Sequence, residues 1–211
     1  MRQKKPDKRK VQGAETKKKL YEIAEKLFSQ HGFSEVSVED ITDEAGITKG
    51  AFYVHFESKD ALIARLIADY ASRADTDYKT FLGTFPADMP ADEMLLALTE
   101  KIADVLTNTI GCENMTKVYQ MMLAGTVDTE SVQGYNRELY VLFQEVLERG
   151  LRRGELQSSL SADTLARHFV MAMRGVTYEW CVRSPEFHLK EHALKHCQLL
   201  LRGIMASDGT K

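Results

Sequence analysis

Apolar residues recur at helical spacing along almost the whole chain. From Thr16 to His31, Leu20, Ile23, Ala24, Leu27 and Phe28 fall at i, i+3, i+4, i+7 and i+8, the stripe of an amphipathic helix. Gly32 follows where a left-handed cap is wanted. Ser37 opens a second helix, and Asp40 three residues on completes a capping box with a shorter acid. Val38, Ile41 and Ala45 form its inner face, and Gly46 ends it after two turns. Thr48 caps a third short helix that reaches about His55 or Phe56, and Ser58 caps a fourth with the stripe Leu62, Ile63, Leu66, Ile67 and Tyr70. The stretch GTFPADMPAD, with Gly83, Pro86 and Pro90, reads as a linker. Beyond it, helices are expected over 91–110, 114–126, 130–152, 162–183 and 188–206, with breaks at Gly111, from Gly150 to Gly154 and at Ser184-Pro185. No convincing strand alternation or repeat interrupts this pattern, so the predicted class is all-α, with about nine helices.

Two short helices joined by a tight glycine turn and braced by a longer one have helix-turn-helix geometry, here about residues 37–56. That geometry sorts the aromatic cluster of ITKGAFYVHFESKDAL. Phe52 and Phe56, at i and i+4, share a face directed at Leu27, Phe28 and Ile41. Tyr53 lies about 100° around from Phe52 and shares a different face with Lys49. Gly50 has no side chain, so the helix start has room to approach DNA. The Thr48 hydroxyl and nearby free N–H groups suit a phosphate oxygen. Tyr53 offers a phenolic O–H and Lys59 a point charge.

The residues that carry a family resemblance are ETKKKLYEIAEKLFSQHGF and SVEDITDEAGITKGAFYVHFESKDAL. Within them stand Ala24, Leu27 and Phe28, then Gly32-Phe33, Val38 and Ile41, Ala45-Gly46-Ile47, and finally Tyr53, His55, Phe56, Lys59 and Leu62. In this order they resemble the DNA-binding head of the tetracycline-repressor (TetR) family of bacterial regulators, over residues 16–63. The resemblance implies phosphate contacts at Thr48, Tyr53, His55 and Lys59 and base-edge contacts at Lys49, Gly50 and Ala51. Two positions depart from the pattern: Thr42 replaces an alanine and Phe52 a leucine.

The chain then divides into a basic flexible arm (1–15), a helix-turn-helix domain (16–62), a connecting helix and linker (63–90) and an effector-binding and dimerisation domain (91–211). In such a family the last two helices pair between subunits. Phe169, Met173 and Val176 on one, with Ala193, Cys197, Leu200 and Ile204 on the next, are the candidate homodimer residues. Methionine is concentrated after residue 88, and Met-rich aromatic surfaces repack around varied apolar ligands. Tyr119, Met122, Phe143, His168, Tyr178 and Trp180 are the candidate pocket for an unknown small-molecule effector.

Composition narrows the alternatives. No run of about 18 apolar residues is present, and no apolar stretch follows the basic N-terminus, so neither a membrane partner nor a secretory signal is expected and a cytoplasmic location is. Phosphate loops, nucleophile elbows and H-E-x-x-H are absent from the sequence, so no catalytic residue and no cofactor is expected. The three cysteines, Cys112, Cys181 and Cys197, lack metal-ligand spacing. His188, His192 and His196 repeat at i, i+4 and i+8, the one pattern for a metal-binding helical enzyme, and a solvated or dimer-rim face is the preferred reading. The function expected is a dimeric repressor released from a palindromic double-stranded DNA operator by a small apolar ligand. A helix-turn-helix regulator without an effector is the alternative.

One electrostatic feature stands against a simple DNA-binding picture. Residues 20–60 carry Lys26, Lys49 and Lys59 against nine carboxylates, whereas residues 1–19 carry nine Lys or Arg against Asp7 and Glu15. Long-range attraction for phosphate therefore has to come from the basic segment. Deletion of residues 1–12 is expected to weaken DNA binding for all sequences alike and to flatten its salt dependence. A titration against salt checks this, and an unchanged slope in the truncated protein removes the segment from the interface.

Overall fold

A computed structural model describes residues 8–125 and 127–205 of the chain. The described residues form ten α-helices, α1 Lys8–Glu35, α2 Val38–Ala45, α3 Lys49–His55, α4 Lys59–Leu82, α5 Ala91–Val105, α6 Cys112–Ala124, α7 Glu130–Gln133, α8 Glu138–Arg153, α9 Ala162–Arg183 and α10 Leu189–Arg202. A π-helical turn, Leu106–Ile110, joins α5 to α6. Helix α7 is a single turn, which leaves nine helices of seven residues or more.

Local chemistry sets the boundaries in the first third. Ser37 accepts from the Asp40 amide while the Asp40 carboxylate accepts from Ser37 N–H, the expected reciprocal box. Gly46 closes α2 in the left-handed region at φ 65°, which costs a side chain about 1–2 kcal/mol, and Thr48 and Ser58 cap α3 and α4 by accepting from Ala51 and Ala61 amides. Gly32 also breaks α1 with positive φ, 79°.

Two boundaries differ from expectation. Helix α1 begins at Lys8, so the second half of the expected flexible arm is helical, and residues 1–7 lie outside the described residues. The helix expected over 130–152 is cut at Gly134–Arg137. Its register is set by Arg137, whose guanidinium makes two bonds to the buried Asp75 of α4, 2.9 and 2.6 Å. A buried carboxylate demands such a partner, and meeting it overrides helix continuity.

Two apolar cores result. In the body, α5, α8, α9 and α10 pack together around Leu95, Phe143, Leu147, Phe169 and Ala193. The approach is close at Gly150 of α8, where a Cβ would stand 2.6 Å from Ala91 Cβ. In the head, α1 to α4 enclose Leu20, Ala24, Phe28, Ile41, Phe52, Phe56 and Leu62. This second core also takes Val118 and Met121 from α6, so a helix of the body closes the head.

Candidate nucleic-acid interface and interior cavity

Helix α3 is anchored on one side and open on the other. Phe52 and Phe56 are buried in the head core, with ring centroids 5.7 Å apart. Thr48, Lys49 and Gly50 are exposed, and Tyr53 keeps 49% of its surface. Tyr53 stands edge-on to Phe52 at 85°, so the core ring fixes the position of the exposed one. The only atom near a Cβ built at Gly50 is Thr48 Oγ1, 3.9 Å away. Among the described residues no packing requires glycine there, which leaves the outer approach as its use. Ala51 and His55 are half-buried.

Val54 has no place among the sequence candidates, yet it is 79% exposed beside Tyr53. The available signal was its lack of any place on the Phe52/Phe56 face. A protruding valine on such a helix suits a thymine methyl group.

The charges around α3 are arranged differently from expectation. Lys49 is ion-paired across the turn to Glu39 of α2. Hydrogen bonding between them holds the Glu39 carboxyl below, and the Lys49 ammonium above, their usual ranges. Both side chains are more than half exposed, so the pair is weak and open to exchange with a phosphate. Lys59 corrects the sequence reading. It turns inward, donating to the carbonyls of Phe33 at 2.9 Å and Val36 at 2.8 Å. Burial, then the neighbouring Lys117, holds its ammonium below the usual lysine value. It ties the α1–α2 loop to α4 and has little left for a phosphate. The basic first turns of α1 run past the end of α3, where His55 Cε1 lies 4.0 Å from a Cβ built at Gly13 and Lys17 sits 5.4 Å above the Phe56 ring.

A cavity of about 350 Å³ lies where head meets body, lined from α1, α4, α5, the π-helical turn, α6 and α9. Leu66, Ile67, Val105, Met115, Val118 and Met122 give it an apolar wall. Its cations are already engaged: Arg73 with Glu25, Arg137 with Asp75, and Arg174 with the carbonyls of Val132 and Gln133. Of the six residues expected to line a pocket, Tyr119 and Met122 do. Phe143 and Trp180 are instead buried in the body core, and His168 and Tyr178 face outward on α9.

The expected dimer residues also need correction. Phe169, Met173, Val176, Ala193 and Cys197 are buried in the body core, and Leu200 and Ile204 pack partly buried against it. A side chain already dry within one subunit gains nothing from a partner. The outward stripe of α9 is Met171, Gly175, Tyr178 and Val182, and Leu199 is exposed on α10. The histidine row is divided, since His192 stacks on Phe187 at 4.0 Å while His188 and His196 are exposed. Among the described residues no group of three or more His, Cys, Asp or Glu is placed to hold a metal, and no helix is long and apolar enough to cross a membrane.

Known proteins share this arrangement. The profile of bacterial regulatory proteins of the tetR family matches residues 20–66. The HTH-type transcriptional repressor KstR2 of Mycolicibacterium smegmatis is 24% identical over 203 residues, 95% of this chain and 96% of its own. A TetR-family transcriptional regulator of Pectobacterium atrosepticum has the same fold, with a TM-score of 0.74 at 19% identity over 93% of this chain and 97% of that one. Thermus thermophilus FadR, a TetR-family repressor in complex with lauroyl-CoA, gives a TM-score of 0.70 at 18% identity, over 92% of this chain and 98% of its own.

The inward Lys59 yields a direct test. Lys59→Met keeps the aliphatic stem and removes two hydrogen bonds, which is expected to cost about 1 kcal/mol of stability in urea unfolding. The salt slope of DNA binding should stay unchanged, whereas a slope reduced by about one would return Lys59 to the phosphate contacts.

Proposed function

We propose that the chain is a TetR-family transcriptional regulator, a homodimeric repressor that leaves a palindromic operator when a small apolar ligand enters the cavity. The observation that carries this reading is the double ownership of the cavity wall. Phe28 and Phe33 of the head core line it, and so do Val118 and Met122 of α6. A ligand cannot fill that space without acting on the surfaces that set the head against the body. It shifts the equilibrium by its preference for the arrangement in which the heads no longer match the two half-sites. An apolar wall, with Arg73 and Arg137 already neutralised by acids, favours a mostly apolar ligand. A repressor of the same fold is in complex with lauroyl-CoA, whose acyl chain, though not its charged CoA part, has that character.

The reader is the exposed side of α3. Lys49, Gly50, Ala51, Tyr53 and Val54 approach base edges and the adjoining backbone, and Thr48 and its neighbouring amides meet a phosphate. One such helix spans too few base pairs for specificity, and a two-fold pair about 34–36 Å apart reads two half-sites. We assign the dimer contact to Met171, Gly175, Tyr178, Val182 and Leu199. The first four recur at spacings of four, three and four along the exposed side of α9, and Leu199 is a large apolar side chain exposed on α10.

Selection of operators from a random DNA pool tests the reading. Inverted repeats one helical turn apart are expected, and Tyr53→Ala should bind the selected sites at least about tenfold more weakly with an unchanged melting temperature. Enrichment of single, unrepeated sites would sink the dimeric part of the reading. Leu199→Arg should sediment as a monomer and lose the operator, because a buried unpaired guanidinium is not tolerated in an interface core. A dimeric Leu199→Arg protein would move the interface elsewhere.

A further inference from the structure

Two of the three cysteines meet at the junction of α6 and α9. Cys112 is the first residue of α6, and its thiol donates to the Trp180 carbonyl at 3.9 Å. Cys181 follows Trp180 in α9, so the Cys112 thiol stands against the turn that carries Cys181. Both thiols are free and half-buried, whereas Cys197 is buried in the body core. The pair has no part in DNA reading, in the cavity wall or in the proposed dimer stripe.

We propose that Cys112 and Cys181 form a reversible, peroxide-driven disulfide that clips the start of α6 to α9 and lowers affinity for DNA. Burial pushes the Cys181 thiol up to about 11, so it is a poor first nucleophile, and the first step falls to Cys112. The Cys112 thiolate attacks hydrogen peroxide, an S–O bond forms as the O–O bond breaks, and hydroxide leaves and is protonated to water. The Cys181 sulfur then attacks the sulfenic sulfur, the S–S bond forms, and the oxygen departs as a second water carrying the Cys181 proton. Two thiols and one peroxide thus become one disulfide and two waters. A small thiol reverses the bond by exchange.

The clip reaches the head through α6. A disulfide holds its sulfurs at about 2.05 Å, well inside thiol contact distance, so the first turn of α6 is drawn towards α9. That turn contains Asn114, whose side-chain oxygen accepts from the Phe33 amide at 3.0 Å across the α1–α2 corner. One turn further, Lys117 pairs with Asp60 of α4 at 3.2 Å, and Val118 sits in the head core. Three ties between α6 and the head therefore change together. The DNA effect rests on the head being the DNA reader, while the disulfide itself does not.

Reduced full-length protein treated with hydrogen peroxide, then alkylated and mapped by peptide mass, tests the chemistry directly. One intramolecular link between Cys112 and Cys181 is expected, with Cys197 still open to alkylation after unfolding. Cys181→Ser should stop at a sulfenic acid on Cys112 that a dimedone probe captures, and Cys112→Ser should form no intramolecular link. Oxidation should weaken operator binding by about tenfold in the native chain and in Cys197→Ser, with recovery in dithiothreitol, but not in either single variant. Thiols at 112 and 181 that both stay alkylatable, or a link through Cys197 or between chains, would overturn the site. A mapped disulfide with unchanged DNA affinity would overturn the regulatory claim. Failure of the reduced protein to bind any DNA would count against the head as reader and leave the peptide map to decide the disulfide.

Discussion

The head of this protein is completed by a helix that does not belong to it. Val118 and Met121 of α6 are buried among Leu20, Phe28, Phe52 and Leu66, and the Asn114 side chain satisfies the Phe33 amide. Burying two such side chains contributes roughly 1.5–3 kcal/mol each. A head of α1 to α4 alone would expose that surface and leave an amide without its partner. Head and body are thus one mechanical unit with a seam along α6, and the cavity opens on the seam. Any agent that changes the position of α6, whether a ligand in the cavity or a bond at its first residue, acts on the packing beneath the recognition helix. No long-range pathway is needed, because the two sites share a wall.

What was legible in the sequence follows from the range of the interactions involved. The Ser37–Asp40 box, the Thr48 and Ser58 caps and the left-handed Gly46 depend on residues within four positions, and each stands where local chemistry puts it. The inward face of α3 was legible because Phe52 and Phe56 define it alone. Lys59 was not, because its carbonyl partners lie at the far end of another loop. The break before α8 was hidden for the same reason, since Arg137 answers to Asp75 more than sixty positions away.

Periodicity finds the most apolar stripe of a helix but not what covers it. In α9 and α10 that stripe packs inside the subunit, and the weaker one, with Met171, Tyr178 and Val182, is left outside. The residues expected at a dimer face therefore pack within the subunit. Four of the six pocket candidates were also misplaced, because aromatic and Met content does not separate a filled core from a walled cavity. The cavity is lined in part by Arg137 and by Leu106, Thr109 and Ile110 of the π-helical turn, neither of which has a strong local signature.

The acidity around the recognition helix has a consequence for how the molecule is distributed in a cell. Glu39, Asp40, Asp43 and Glu44 crowd α2, and Glu39 already occupies Lys49. Binding to arbitrary DNA is almost wholly electrostatic, and the genome offers millions of such sites. A reading head that repels phosphate unless its base contacts are also made spends less of its time parked at random. For the regulator proposed above, the pool not held on arbitrary DNA is correspondingly larger, and the search depends more on three-dimensional encounters than on sliding.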